Sequence, residues 1–366
     1  MARLIYKKTI PAGNRIRVLV VDDSVVIRRL VTQALSEDPA LEVVGSVSNG
    51  ALGLAKIAQT NPDVVTLDVE MPEMDGLEML RRLIKQNVRP RVVMFSTLTE
   101  RGAAATLDAL ALGADDYVTK AANGGSLDRS LASLREELVP KVKQFFVLAQ
   151  QRQEQPQSRP VPGPSSAPRP AHERFAGSRA KVLAIGVSTG GPTALGMIIP
   201  QVPSDFPLPI LIVQHMPPLF TRLLAERLQA STPLKVEEAA EGSVVTGGKV
   251  LIAPGDYHMR LRNTGKEMVI CLDQAPPENS CRPAVDVLFR SVSETFGGSA
   301  IGAILTGMGQ DGLRGVQTLK ATGAFVIAQD EASSVVWGMP GSVVAAGLAD
   351  TVVPLDHVIP EVLRRI

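Results

Sequence analysis

The stretch 181–192, K-V-L-A-I-G-V-S-T-G-G-P, decides how the chain is read. Val182 to Ile185 is a short apolar run of the kind that forms a buried strand. It breaks into a turn of small residues, Gly186 to Gly191, and then into apolar residues of helical spacing from near Thr193. Strand, glycine turn and helix together place Ser188 at a helix N-terminus on the carboxyl edge of a sheet. A hydroxyl there lies beside unpaired backbone N–H groups that can hold an oxyanion. The spacing also fits G-x-S-x-G, the turn that exposes a nucleophilic serine. A glycine turn whose serine only caps a helix would look the same. The choice falls to the rest of the chain.

Downstream, Ile210 to Val213 reads as a second buried strand that delivers His215 at its end. Neighbouring parallel strands lie about 4.8 Å apart, so the ends carrying Ser188 and His215 can approach hydrogen-bonding range. Of the four histidines, His172 falls in a linker and His357 near the C-terminus. His258, in A-P-G-D-Y-H-M, is the rival base. A third strand, Ala300 to Thr306, runs into G-M-G-Q-D-G, where Asp311 is the carboxylate that a serine–histidine pair needs to orient the imidazole. That loop is also a literal G-x-G-x-x-G, with Asp330 ending the next strand, which is the dinucleotide-binding pattern. Against that pattern, Asp311 would set negative charge in a loop meant for pyrophosphate. Arg282 suits either a substrate carboxylate or a surface salt bridge. Trp337 reads as packing.

Upstream, 150–179 holds six prolines and little that could form a core, the composition of an extended tether. Roughly 30 such residues have a root-mean-square span of about 30 Å, which holds two domains near one another at an effective concentration on the order of millimolar. From Ile16 to Lys120 five short strands alternate with helices, the pattern of a doubly wound parallel sheet. Ligands in such sheets bind at the carboxyl ends of the strands. Those ends carry Asp22, Asp23, Asp68, Ser96 and Lys120. Three converging carboxylates repel unless a divalent cation sits among them, and hard oxygen donors suit Mg2+. Lys120 and the Ser96 hydroxyl then suit a phosphoryl group on Asp68. Singly, Asp22 or Asp23 could be a helix cap and Lys120 a solvated charge.

The expected division is an N-terminal extension at 1–14, a parallel-sheet domain at 15–138, a linker at 139–179 and a second α/β domain at 180–366. A net charge of +1 and 4% aromatic residues argue against nucleic acid or an acidic membrane surface as partner. Cys271 and Cys281 lack metal-ligand spacing and read as packing residues in a reducing compartment. The N-terminus has too short an apolar run for a signal peptide, and no apolar run reaches the length of a membrane span.

The first half resembles the receiver domain of two-component response regulators, on L-D-V-E-M-P-x-M-D-G around Asp68 and on the acidic pair Asp22 and Asp23. The resemblance implies Asp68 as phospho-acceptor, Asp22 and Asp23 with Asp68 as the Mg2+ site, and Ser96 and Lys120 as the phosphate switch. One departure is Ala121, where the family usually has proline. The second half resembles the catalytic domain of the CheB family, the chemotaxis protein-glutamate methylesterases that also deamidate glutamine. The resemblance rests on I-G-V-S-T-G-G, Q-H-M-P, I-A-P-G-D-x-H-M, R-P-x-V-D-V-L-F, L-T-G-M-G-x-D-G and I-A-Q-D-E-A-S. It implies a triad of Ser188, His215 and Asp311, in a chain order unlike that of the α/β-hydrolases. It further implies an oxyanion hole near Met308 and Thr189, no cofactor for hydrolysis, chemoreceptor helices as substrate and a chemotaxis histidine kinase as phosphodonor. A cytoplasmic location follows. The alternative is a response regulator whose second domain only binds a partner.

Overall fold

The computed structural model of the chain describes residues 8–11, 13–86, 90–120, 127–148 and 180–366. Its first half runs β1 (Lys8–Ile10), β2 (Ile16–Val21), α1 (Val25–Ser36), β3 (Leu41–Val47), α2 (Gly50–Thr60) and β4 (Val64–Asp68). It continues with α3 (Gly76–Lys85), β5 (Arg91–Ser96), α4 (Glu100–Leu112), β6 (Asp116–Thr119), α5 (Leu127–Lys143) and β7 (Phe146–Leu148). The central strands are almost wholly apolar because both faces are covered, and they pair in parallel in the order β3-β2-β4-β5-β6. Polar caps set the helix starts. Ser24, Asn49, Asp75 and Thr99 each accept an N–H from the first turn that follows. The cap of α1 is therefore Ser24 rather than Asp22 or Asp23.

Two features lie at the expected edges of the first domain. Lys8–Ile10 pairs in parallel with Phe146–Leu148, and Ile10 is buried in the domain's core. Helix α5 also runs past the expected boundary at 138 to Lys143, with Pro140 inside it. The proline removes one N–H but leaves its carbonyl free to accept from Gln144 at 2.9 Å. Burial of Leu138, Val142 and Phe145 holds that last turn in place. The linker at 150–179 and Ala121 lie outside the described residues.

The second half runs β8 (Val182–Val187), α6 (Gly191–Ile198), β9 (Ile210–Gln214), α7 (Phe220–Gln229), β10 (Lys235–Glu238) and β11 (Lys249–Ile252). A hairpin follows, β12 (His258–Asn263) with β13 (Met268–Asp273), then α8 (Val285–Phe296), β14 (Ala300–Ile304) and α9 (Leu313–Ala321). The chain ends with β15 (Phe325–Gln329), α10 (Met339–Ala345), β16 (Thr351–Val353) and α11 (Val358–Leu363). Seven strands make a parallel sheet of order β10-β11-β9-β8-β14-β15-β16. The order reverses at β8, whose neighbours are β9 and β14. That switch point is where an open α/β sheet leaves a crevice beyond its strand ends.

The two halves pack together through α4 against α6 and α7. The Tyr117 ring stacks on Phe220, with centroids 5.0 Å apart. Arg227 pairs with Asp108 at 2.7 Å and Arg222 with Glu100 at 3.1 Å. Among the described residues no helix is long and apolar enough to cross a membrane.

Candidate active site and phosphorylation site

Three adjacent strand ends build the first site. Val187 pairs with Gln214, and His215 N donates to the Val187 carbonyl at 3.2 Å, which sets Ser188 and His215 side by side. On the other flank Ser188 N donates to the Thr306 carbonyl at 3.0 Å, just beyond β14. A side chain at Gly307 would put its first carbon 2.8 Å from Ser188 Cβ, so glycine is what allows this close approach. Gly190 takes φ +79, a left-handed turn that lets α6 begin directly behind the serine. Gln214, buried, donates Nε2 to the Ser188 carbonyl at 3.0 Å and clamps the same turn.

His215 Nε2 lies 2.8 Å from Asp311 Oδ2. Asp311 is 2% exposed and accepts four further donors: the backbone N–H groups of Val285, Asp286 and Gly312, and the Asn279 side chain. Ala284 supplies no side-chain cap to α8, so the Asp311 carboxylate caps that helix from another loop. Burial disfavours a charged imidazole, but the Asp311 hydrogen bond, then Cys281, outweigh it and raise the His215 pKa to about 10. Burial acts to raise the Asp311 pKa, and the bonds from His215 and the α8 backbone more than offset it, so its carboxyl is held below the usual range. With Nε2 engaged, Nδ1 is the nitrogen left to take a proton. Cys281 Sγ lies 3.6 Å from it, so the cysteine expected to be a packing residue sits against the His215 ring. Among the described residues the Ser188 hydroxyl has no hydrogen bond to His215.

A ring whose pKa is about 10 folded and about 6.5 unfolded holds its proton more tightly in the native state. Its contribution to stability is complete below pH about 6.5 and is lost as pH rises through about 10. Ring titration by NMR on histidine-labelled protein should show His215 protonated through neutrality. Asp311→Asn should bring that titration down; an unchanged curve would remove the ion pair as its cause.

The other expected residues separate clearly. His258 is 0% exposed, meets the Pro276 carbonyl at 3.1 Å through Nε2 and takes the Ala284 N–H on Nδ1 at 3.3 Å, so it braces a loop. Thr189 is buried, and its hydroxyl donates to Asp116 of the first half at 3.0 Å rather than facing the crevice. Met308 is 41% exposed. Among the described residues the backbone N–H groups of Thr189 and Met308 meet no acceptor, as an oxyanion hole requires. Arg282 pairs with Asp256 at 2.5 Å, and the Trp337 indole donates to the Gln329 carbonyl at 3.0 Å. The glycine loop 307–312 is occupied by Asp311 and its bonds, which does not suit a pyrophosphate.

The second site lies at the carboxyl ends of β2 and β4. Oxygens of Asp22, Asp23 and Asp68 lie within 4.8 Å of one another. Lys120 Nζ is 2.7 Å from Asp68 and 2.9 Å from Asp22. Burial and then the neighbouring Asp22 raise the Asp68 pKa to about 6, and burial raises that of Asp22. Asp22 Oδ2 is buried and, despite the nearby ammonium, makes no hydrogen bond of proper geometry. That donor set, three carboxylates clustered with their oxygens in reach of one point, fits Mg2+. Ser96 is fully buried, with its hydroxyl donating to the Gly102 carbonyl at 3.0 Å, turned away from Asp68.

Comparison with known proteins agrees on both halves. The model of the CheB methylesterase family matches residues 183–362, and that of the response regulator receiver domain matches 18–132. A protein-glutamate methylesterase/protein-glutamine glutaminase of Trichodesmium erythraeum is 48% identical over 96% of this chain and 99% of its own length. One of the same name from Nocardioides is 50% identical, over 96% and 95%. The crystal structure of the Thermotoga maritima CheB methylesterase catalytic domain matches 52% of this chain and all of its own, at 43% identity and a TM-score of 0.51.

Proposed function

We propose, from the premise that this chain belongs to the CheB methylesterase family, that Ser188, His215 and Asp311 carry out its hydrolysis and Asp68 receives its phosphoryl group. The chain is a response-regulator enzyme, a protein-glutamate methylesterase and protein-glutamine glutaminase. What carries the residue assignment is the convergence of three adjacent strand ends on one crevice, with His215 and Asp311 2.8 Å apart.

In this reading the unprotonated form of His215, whose share grows as pH rises toward about 10, takes the Ser188 proton at Nδ1 as Ser188 attacks the γ-carbonyl of a methylated glutamate, so hydrolysis should speed up with pH over that range. The oxyanion is met by the free N–H groups near Thr189 and Met308. His215 returns the proton to the leaving methanol, or to ammonia when the substrate is glutamine. Water then hydrolyses the acyl-enzyme by the same proton path. Asp311 holds the ring's orientation and its charge. Nothing in this sequence of steps calls on a metal. Asp22, Asp23 and Asp68 would hold Mg2+, which supplies charge neutralisation when Asp68 takes up a phosphoryl group. Lys120 steadies the same anion. The substrate is placed on the cytoplasmic helices of chemoreceptors and the phosphodonor is a chemotaxis histidine kinase, so the enzyme is assigned to the cytoplasm.

The receiver restrains the esterase. Asp116 receives both the Thr189 hydroxyl, next to the nucleophile, and the Gln144 amide, at 3.0 and 2.9 Å. Phosphorylation acts by changing the balance of docked and undocked states, and a shift of about 1.4 kcal/mol moves that balance tenfold. Methanol released from methyl-labelled receptor membranes measures the effect. Tyr117→Ala, which removes the stack on Phe220, should raise the rate of the unphosphorylated chain toward that reached with phosphodonor. A fragment of 180–366 should do the same. Equal rates in all of these would leave two functions that merely share a polypeptide.

A further inference from the structure

Asp311 takes three of its five hydrogen bonds from backbone N–H groups, and among the described residues only two side chains donate to it, His215 and Asn279. Asn279 Nδ2 reaches Asp311 Oδ1 at 2.8 Å and Asp286 Oδ2 at 3.0 Å. Asp286 is 1% exposed and is itself fixed, accepting Gly315 N at 2.7 Å through its other oxygen. Asn279 therefore ties the orienting carboxylate of the triad to a second buried carboxylate on the first turn of α8. The backbone explains how an exposed loop residue reaches so far in. Glu278 and Cys281 exchange both backbone hydrogen bonds, at 3.1 and 2.8 Å, and the residues between them have φ +51 and +61. Two left-handed residues in a closed turn follow the type I′ pattern, in which asparagine is favoured at the first position. The same turn sets Cys281 against His215 Nδ1 and Asn279 against Asp311.

We infer that Asn279 is a positioning residue for the hydrolysis, holding the Asp311 carboxylate in the plane that the His215 ring needs. This rests on the triad assigned above. Without the amide, the Oδ1 side of Asp311 keeps only the backbone donors of Asp286 and Gly312, and the carboxylate is held less firmly in that plane. A charge-assisted hydrogen bond of this kind carries about a tenfold effect when lost.

The test uses the full chain activated by a small phosphodonor, with Ser188→Ala run beside it. Asn279→Gly keeps the left-handed turn and deletes only the amide; Asn279→Ser, which also lacks the amide and keeps a small polar side chain in the turn without adding charge beside Asp311 and Asp286, covers the case of a poorly folding glycine variant. Both should lower kcat about tenfold at unchanged KM. Labelling of Ser188 by a fluorophosphonate should slow in proportion, and the low-field N–H proton resonance of the His215–Asp311 pair should move. Phosphorylation of Asp68 should be unaffected. Wild-type kcat in both variants, a lower melting temperature with kcat intact, or a change confined to KM would each overturn the inference. If Ser188→Ala stays active, the triad reading itself fails, a result distinct from any of these.

Discussion

Ser188→Ala is expected to abolish methanol release while leaving Mg2+-dependent phosphorylation of Asp68 intact. The two sites stand at the edges of different sheets, so removing one hydroxyl at the end of β8 leaves the carboxylates of β2 and β4 untouched. Removing the nucleophile of a serine triad costs on the order of a millionfold in kcat. His215→Ala should do comparable damage, because residues acting as one unit do not add. His258→Ala gives the contrast. Its ring is buried and hydrogen-bonded on both nitrogens, so its loss should cost about 1–3 kcal/mol of stability and little rate. Assays at a temperature well below unfolding keep those effects apart. A chain that is active without Ser188, or dead without His258 alone, would contradict the assignment.

Asp68→Asn should eliminate labelling by acetyl phosphate. An amide is a far weaker nucleophile than a carboxylate, and the change also removes one negative charge from the three carboxylates that suit the cation. Lys120 would lose one partner and keep Asp22, so the local structure should survive. Because phosphorylation is the proposed release signal, the variant's esterase should stay at the unstimulated rate with phosphodonor present. Its combination with Tyr117→Ala should recover activity, since loosened docking no longer needs the phosphoryl group. Labelling that persists in Asp68→Asn would point to another acceptor. Failure of the double variant to recover would separate the restraint from the Tyr117 stack.

Much of this was legible in the chain itself, for a definite reason. In a parallel α/β sheet each apolar run ends at the carboxyl edge, so the residue after each run is assigned to one face of the sheet before any packing is known. Ser188 after β8, His215 after β9, Asp22 after β2 and Asp68 at the end of β4 followed from that rule, whereas Asp311 stands in the loop beyond β14. Helix starts were equally local, set by Ser24, Asn49, Asp75 and Thr99. What carried no local pattern was decided by contacts between distant elements. Pairing of Lys8–Ile10 with Phe146–Leu148 joins the two ends of the first domain. The seating of Cys281 on His215 depends on a turn 66 residues away, and the capping of α8 by Asp311 on a loop 26 residues beyond it. The turn of Thr189 toward Asp116 exists only because two separately folded sheets come together. Residue order thus determined which chemistry stands at the strand ends; tertiary packing alone decided which imidazole nitrogen meets Asp311, what holds that carboxylate, and how the receiver reaches Thr189 beside Ser188.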